Sequence, residues 1–139
     1  MYRTSVLACL ALAALTCCSG QKRISRDELQ SKLRSAASLA AETSTFLDYV
    51  RQNRATHHYA EGHIQYLSSE LADTVKELHE ALPPTGAETE FIDSRKQVDA
   101  LAAALGQVRS HIDQTNEFIR DQDQIVVIRN RLQQAISSL

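Results

Sequence analysis

The sequence LPPTGAETEF, residues 82–91, interrupts a chain that otherwise has very few turn-forming residues. Two adjacent prolines end a helix, because proline lacks a backbone N–H and its ring clashes with the preceding turn. Thr85 or Gly86 can cap the helix that follows, and Glu88 and Glu90 suit the positively polarised first turn of that helix. This segment therefore predicts a sharp turn between two long helices.

The arm before the turn, residues 25–82, has apolar residues at the helical spacings of three and four. Its start at Ser25 is indicated by a capping box, in which serine at the N-cap is followed three residues later by Glu28. The apolar positions of this arm include Leu29, Leu33, Ala36, Ala40, Leu47, Val50, Ile64, Leu67, Leu71, Val75, Leu78 and Leu82.

The arm after the turn, residues 88–138, has a clearer coiled-coil pattern. A 3–4 heptad alternation of this kind is typical of the seam between two helices and not of a β-strand. The apolar stripe shifts after the first seven positions. These are Val98, Leu101, Leu105, Val108, Ile112, Thr115 and Ile119, and the shifted stripe has Ile125, Ile128, Leu132, Ile136 and Leu139.

These two arms predict an all-α fold, an antiparallel coiled-coil helical hairpin. If the arms fold back at residue 85, the numbers of contacting positions sum to about 170, because both helices rise equally per residue. The alternative is a three- or four-helix bundle, which requires the first arm to break near residues 52–57, with Thr56 as a new N-cap. We favour the hairpin at this stage, because no glycine or proline marks that point.

The first twenty residues are typical of an export signal. Arg3 is followed by an apolar run from Val6 to Leu15, which is too short to span a bilayer of roughly 30 Å as a helix. The sequence Leu15-Thr16-Cys17-Cys18 then resembles a bacterial lipobox, in which a leucine and two further residues precede an invariant cysteine. No family is recognised for the helical region that follows.

The resemblance implies a lipoprotein in which the signal peptide, residues 1–17, is removed and the new N-terminal Cys18 is acylated with fatty acids such as palmitate. Residues 18–24 would be a short tether, and residues 25–139 a single helical domain. Ser19 after the cysteine resembles the signal for sorting to the outer membrane. The expected location is therefore the bacterial envelope, with the protein anchored by lipid and facing the periplasm.

Composition excludes some partners. Fourteen basic and seventeen acidic side chains remain after residue 17, for a net charge of about −3. A chain with this charge and no basic cluster is not expected to bind nucleic acid.

No cysteine follows Cys18, so the helical domain has no internal disulfide and depends on packing.

The sequence RATHHYAEGH, residues 54–63, is the candidate metal site. On a helix, Glu61 lies one turn from His57 and His58, whereas His63 points about 160° away from Glu61. Zinc sites need three or four ligands, so a site here would require His111 or Asp113 from the other arm. We predict no metal or other cofactor, and we interpret Arg54, His57 and Glu61 as a polar gap in the seam. That gap either bends the first arm or sets the pairing register.

An enzyme is not predicted, because the domain contains no cysteine thiol beyond Cys18, no Gly-x-Ser-x-Gly elbow and no glycine-rich phosphate loop. A stripe wider than one partner helix needs lies at Phe46, Leu47, Tyr49 and Val50, and we assign it to association. The predicted function is thus a protein-interaction, adaptor or assembly module, which binds envelope proteins or itself through a helical face. The alternative is a metal- or ligand-binding periplasmic bundle that uses the histidine cluster.

Overall fold

Four helices make up the computed structural model, which describes residues 21–139. Short connections make successive helices antiparallel, and the all-α prediction is confirmed. The most extensive helix contact is between α1 and α4, followed by α3 with α4 and then α2 with α3. Among the four seams between neighbouring helices, that between α1 and α2 is the loosest. The helices are α1 Arg26–Arg51, α2 His57–Glu80, α3 Glu88–His111 and α4 Thr115–Ser138.

The preference for a long hairpin is wrong, and the four-helix bundle is the observed alternative. Both predicted arms are broken, at residues 52–56 and 112–114. The predicted register is nevertheless kept, because Asp48 hydrogen-bonds Gln122 at 2.9 Å and His57 pairs with Asp113 at 2.9 Å. In each pair the residue numbers sum to 170. The helix pairs of the hairpin, α1 with α4 and α2 with α3, are therefore kept. The hairpin is bent at its middle, so that the two pairs pack against each other.

The first break is made by a Schellman motif at the end of α1. Asn53 adopts a left-handed conformation, with φ of 55°. Its N–H donates to the carbonyl of Val50 at 2.9 Å, and the N–H of Arg54 donates to the carbonyl of Tyr49 at 3.2 Å. Asparagine is the non-glycine residue that takes this role most readily. The helix therefore ends without the glycine or proline that the prediction required.

Thr56 is the N-cap of α2, as predicted, and its hydroxyl accepts a hydrogen bond from the N–H of Tyr59 at 3.3 Å. We expect Thr56→Ala to lower the free energy of unfolding by about 1 kcal/mol, because that N–H loses its partner. Urea titration followed by circular dichroism measures the change. Thr45→Ala is the control, since exposed Thr45 lies inside α1, where alanine is the better helix former. Equal losses in the two variants would contradict the capping role.

The second break, at residues 112–114, was not predicted. The seam of α4 follows a heptad spacing that begins at Phe118, whereas Ile119, assigned to the seam from the sequence, is 41% exposed. The shifted stripe is therefore the trace of a separate helix. Asp121 occupies one of these seam positions, so the heptad of α4 cannot be recognised from the spacing of apolar residues alone. The buried positions are Phe118, Asp121, Ile125, Ile128 and Leu132.

The turn between α2 and α3 differs in detail from the prediction. The N-cap of α3 is Ala87, which provides no side-chain hydrogen bond. The prediction of a cap at Thr85 or Gly86 is therefore wrong. Gly86 instead has φ of 72°, and its N–H donates to the Glu88 carboxylate at 3.1 Å. Glu88 and Glu90 do lie in the first turn, where the helix dipole favours their charge.

Part of the predicted tether belongs to the folded domain. The N–H of Ile24 donates to the carbonyl of Leu82 at 3.0 Å, and the N–H of Leu82 donates to the carbonyl of Lys22 at 3.0 Å. The side chain of Ile24 is buried in the core. Residues 22–24 therefore pack on the bundle, because their backbone groups find partners on the α2–α3 turn.

The capping box at the start of α1 is confirmed and links stability to pH. The N–H of Ser25 donates to Glu28, and with the Lys22 ammonium at 2.9 Å it lowers the pKa of Glu28 from 4.5 to about 2. A carboxyl group with a lowered pKa stabilises the fold above its unfolded pKa, and this contribution is lost as the pH falls through the folded value.

We therefore expect Glu28→Gln to reduce the loss of stability between about pH 4.5 and pH 2. Glutamine keeps the hydrogen-bond acceptor of the capping box, so the variant should remain folded at neutral pH. Urea titrations at several pH values measure the slope. Glu70→Gln removes the same charge from an exposed position in α2 and should retain the wild-type slope. An unchanged slope in Glu28→Gln would contradict the assignment.

Candidate functional site: an aromatic patch on α1 and α2

Four rings form a continuous patch across the seam between α1 and α2. Tyr59, His63 and Tyr66 are spaced by four and three residues, which places them on one face of α2. The His63 ring centre lies 4.2 Å from that of Phe46 on α1, 6.1 Å from that of Tyr59 and 6.0 Å from that of Tyr66. Phe46 and Tyr59 meet edge to face, at 6.0 Å and 65°. We call Phe46, Tyr59, His63 and Tyr66 the aromatic patch.

The patch has a buried base and exposed flanks. Phe46 is 9% exposed, whereas Tyr59 is 58% and Tyr66 is 53% exposed. His63 lies between them, and its Nε2 is 3.5 Å from a carboxylate oxygen of Glu42 on α1. The two tyrosines therefore present large ring surfaces to solvent over an apolar support, with the His63–Glu42 contact beside them. Edge-to-face and stacked contacts of this kind hold rings in fixed orientations.

Tyr49 extends the same surface along α1. It lies two turns after Glu42, so the two residues share one face of the helix, and Tyr49 is 43% exposed. Phe46 of α1 meets Tyr59 and His63 of α2 here, at the loosest of the four seams between neighbouring helices. The patch thus lies where the bundle packs least tightly.

The association stripe predicted at residues 46–50 is corrected by the burial of its members. Leu47 has no exposed surface and Phe46 is 9% exposed, so both belong to the core of this bundle. Val50 packs against that core, and only Tyr49 of the four is exposed. The width of the stripe is explained by α1 contacting three other helices, since each takes a part of its surface.

The candidate metal ligands are not brought together. His57 pairs with Asp113, and Glu61 lies 3.5 Å from Arg109. His111 pairs with Asp121 at 2.8 Å, and His58 is exposed. Within residues 21–139, no group of three or more histidine, cysteine, aspartate or glutamate side chains is arranged to hold a metal ion.

The polar gap in the first arm is explained by the chain break. Arg54 lies in the connection between α1 and α2, and His57 is the first residue of α2. The gap is therefore where the arm bends. The contact between His57 and Asp113 joins the two connections at this end of the bundle.

His63 and Glu42 were missed by the sequence reasoning. Tyr59 and Tyr66 lie a heptad apart, but aromatic residues at that spacing usually form core or helix–helix contacts, so the spacing alone does not mark a site. The sequence does contain one indication of the site. His63 points about 160° away from Glu61 on the helix, so it faces a different part of the bundle from His57, His58 and Glu61. That this part of the bundle carries Phe46 depends on how α1 crosses α2.

A cleft of about 700 Å³ lies beside the start of α1 and the end of α2. Lys22 pairs with Glu28 across it, and Lys32 pairs with Glu77. These lysines and glutamates neutralise one another, so they do not converge on an unfilled position in the way that ligand-binding groups do.

Comparisons with protein families, with curated proteins and with solved structures give no match for this chain. None of the helices between residues 21 and 139 has the length and apolar character that crossing a membrane requires. The predicted signal peptide and Cys18 lie outside the described residues.

Proposed function

We propose that this chain is a lipid-anchored adaptor protein of the bacterial envelope, which binds a partner protein through the aromatic patch. The observation that carries the proposal is the exposure of Tyr59 and Tyr66 on a supported apolar base. The lipobox-like sequence at Cys18 supports the anchor and the location at the outer membrane, facing the periplasm.

The physical argument rests on how tyrosines contribute to interfaces. Their rings supply large contact areas at a low cost in conformational entropy, and tyrosine is enriched among the residues that dominate binding energy. Apart from Tyr49, the other large apolar residues that are exposed within residues 21–139 are Ile92 on α3 and Ile119 and Val127 on α4, away from the α1–α2 seam. A cluster of exposed rings marks an interaction surface more strongly than such single residues do.

A photo-crosslinking residue at Gly62 tests the proposal in the native envelope. Gly62 lies between Tyr59 and Tyr66 on α2, and a side chain added there meets no atom within 4 Å. We expect a discrete adduct with a partner protein, which is lost when Tyr59→Ala and Tyr66→Ala are added. The same crosslinker at exposed Val127 is the control. An identical adduct from position 127, or one that is unaffected by the tyrosine changes, would refute the patch as the binding surface.

Labelling with a radioactive fatty acid tests the anchor separately. The label should be incorporated into the wild-type protein and lost in Cys18→Ala. Label that persists in the variant would show that Cys18 is not the acylated residue.

A further inference from the structure

The chain enters the bundle at a fixed place, the end that carries the α2–α3 turn. Backbone hydrogen bonds hold residues 22–24 against Leu82, and the Arg23 guanidinium donates to the carbonyl of Pro83 at 2.5 Å. Arg26 donates to the carbonyl of Gly86 at 2.8 Å and to that of Leu139 at 3.4 Å. We call this end, with the turn at residues 83–87 and the C-terminus of α4, the entry end.

The opposite end carries the other two connections, residues 52–56 and 112–114. The His57–Asp113 pair joins them. Each helix has 24 to 26 residues, so the two ends are separated by about 36 Å at 1.5 Å per residue. We call this the far end. Tyr59 is the third residue of α2 and therefore lies close to it.

The distance between an anchor at Cys18 and the entry end is limited by the covalent chain. Lys22 is the fourth residue after Cys18, and an extended chain spans at most roughly 14 Å over four residue steps. This is much less than the length of the bundle. An anchored molecule therefore cannot turn its far end to the lipid while its entry end points away.

A bundle lying on its side would place the charged helix faces against the lipid. The domain has a net negative charge, since acidic side chains outnumber basic ones. Anionic headgroups would repel such a surface, and the repulsion favours the upright arrangement.

We infer that the bundle stands on the membrane with its entry end toward the lipid and its far end projecting into the periplasm. This inference rests on the proposed acylation of Cys18. It places Tyr49 and Tyr59 near the projecting end, about 30 Å from the entry end. The partner that this geometry fits is a protein domain standing clear of the bilayer, and not a lipid-embedded segment.

Energy transfer in vesicles tests the orientation. The mature acylated protein is inserted into phosphatidylethanolamine–phosphatidylglycerol vesicles that contain an acceptor dye in the headgroup region. Three single-cysteine variants carry the donor dye, at Thr85 of the entry end, at Gln114 of the far end and at Ala72, an exposed position midway along α2. We expect transfer to be strongest from position 85, weaker from 72 and weakest from 114. Equal transfer from all three, or the strongest from 114, would overturn the upright orientation.

Two controls separate this inference from the proposed function. Vesicle flotation and the mass of the N-terminal peptide show whether the protein is acylated at Cys18. A protein that neither floats nor carries acyl chains refutes the anchor, and the orientation with it. A protein that floats and is acylated but shows equal transfer from the three positions refutes the orientation alone.

Discussion

Replacing His111 by alanine is expected to lower the free energy of unfolding by about 3 kcal/mol. Asp121 occupies a seam position of α4 and is 2% exposed. The Nδ1 atom of His111 lies 2.8 Å from a carboxylate oxygen of Asp121. Removing the imidazole leaves a buried carboxylate without this partner, and a buried charge without a partner is costly. Urea titration at neutral pH measures the loss.

His79→Ala is the matched control for this prediction. His79 pairs with Asp99 at 2.9 Å, but both side chains are more than 40% exposed. Water solvates Asp99 when the imidazole is removed, so the loss should stay below about 1 kcal/mol. Similar losses in the two variants would contradict a special role for the buried pair.

Asp121→Asn in the His111→Ala background should recover part of the lost stability. The amide has nearly the shape of the carboxylate but has no charge to desolvate. Failure of this second change to restore any stability would show that the loss comes from the packing of the His111 ring and not from the carboxylate.

Leu47→Ala is expected to lower the free energy of unfolding by about 2–5 kcal/mol, because it opens a cavity in the core. Leu47 has no exposed surface and belongs to the apolar cluster shared by the helices. Tyr49→Ala, two residues later, should cost less than about 1 kcal/mol, since its side chain is 43% exposed. Calorimetry or urea titration of the isolated proteins gives both values.

This pair of variants distinguishes a core residue from a surface residue within the stripe predicted at residues 46–50. In the crosslinking experiment at Gly62, Tyr49→Ala should weaken the adduct while the protein stays folded. If Leu47→Ala instead leaves stability unchanged and abolishes association, the stripe is a binding surface and the observed core is contradicted.

The ends of α1 and α2 show which helix boundaries the local sequence can predict. The capping box at Ser25 and the N-cap at Thr56 were predicted correctly, because a cap requires only a short side chain and the next three residues. The end of α1 was not predicted, although Asn53, two residues after it, is of a type that allows the left-handed conformation. Asparagine permits that conformation without requiring it, so the packing of α1 against the other helices selects it.

The α4 seam shows the opposite limit. Its heptad positions include Asp121, and periodicity alone treats an acidic residue as exposed. The carboxylate can be buried because His111, at the end of α3, lies within hydrogen-bond distance of it. The separate start of α4 near residue 115 was hidden for the same reason.

By itself the sequence determined the helical class, the turn at residues 83–87 and the register in which Asp48 meets Gln122 and His57 meets Asp113. These features follow from proline chemistry, capping and the equal rise of two helices, all of which are local or additive along the chain. The tertiary structure decided where the arms fold in half, which carboxylate is buried, and that His63 joins two tyrosines over Phe46. Those outcomes depend on which helix faces which, and side chains far apart in sequence set that arrangement together.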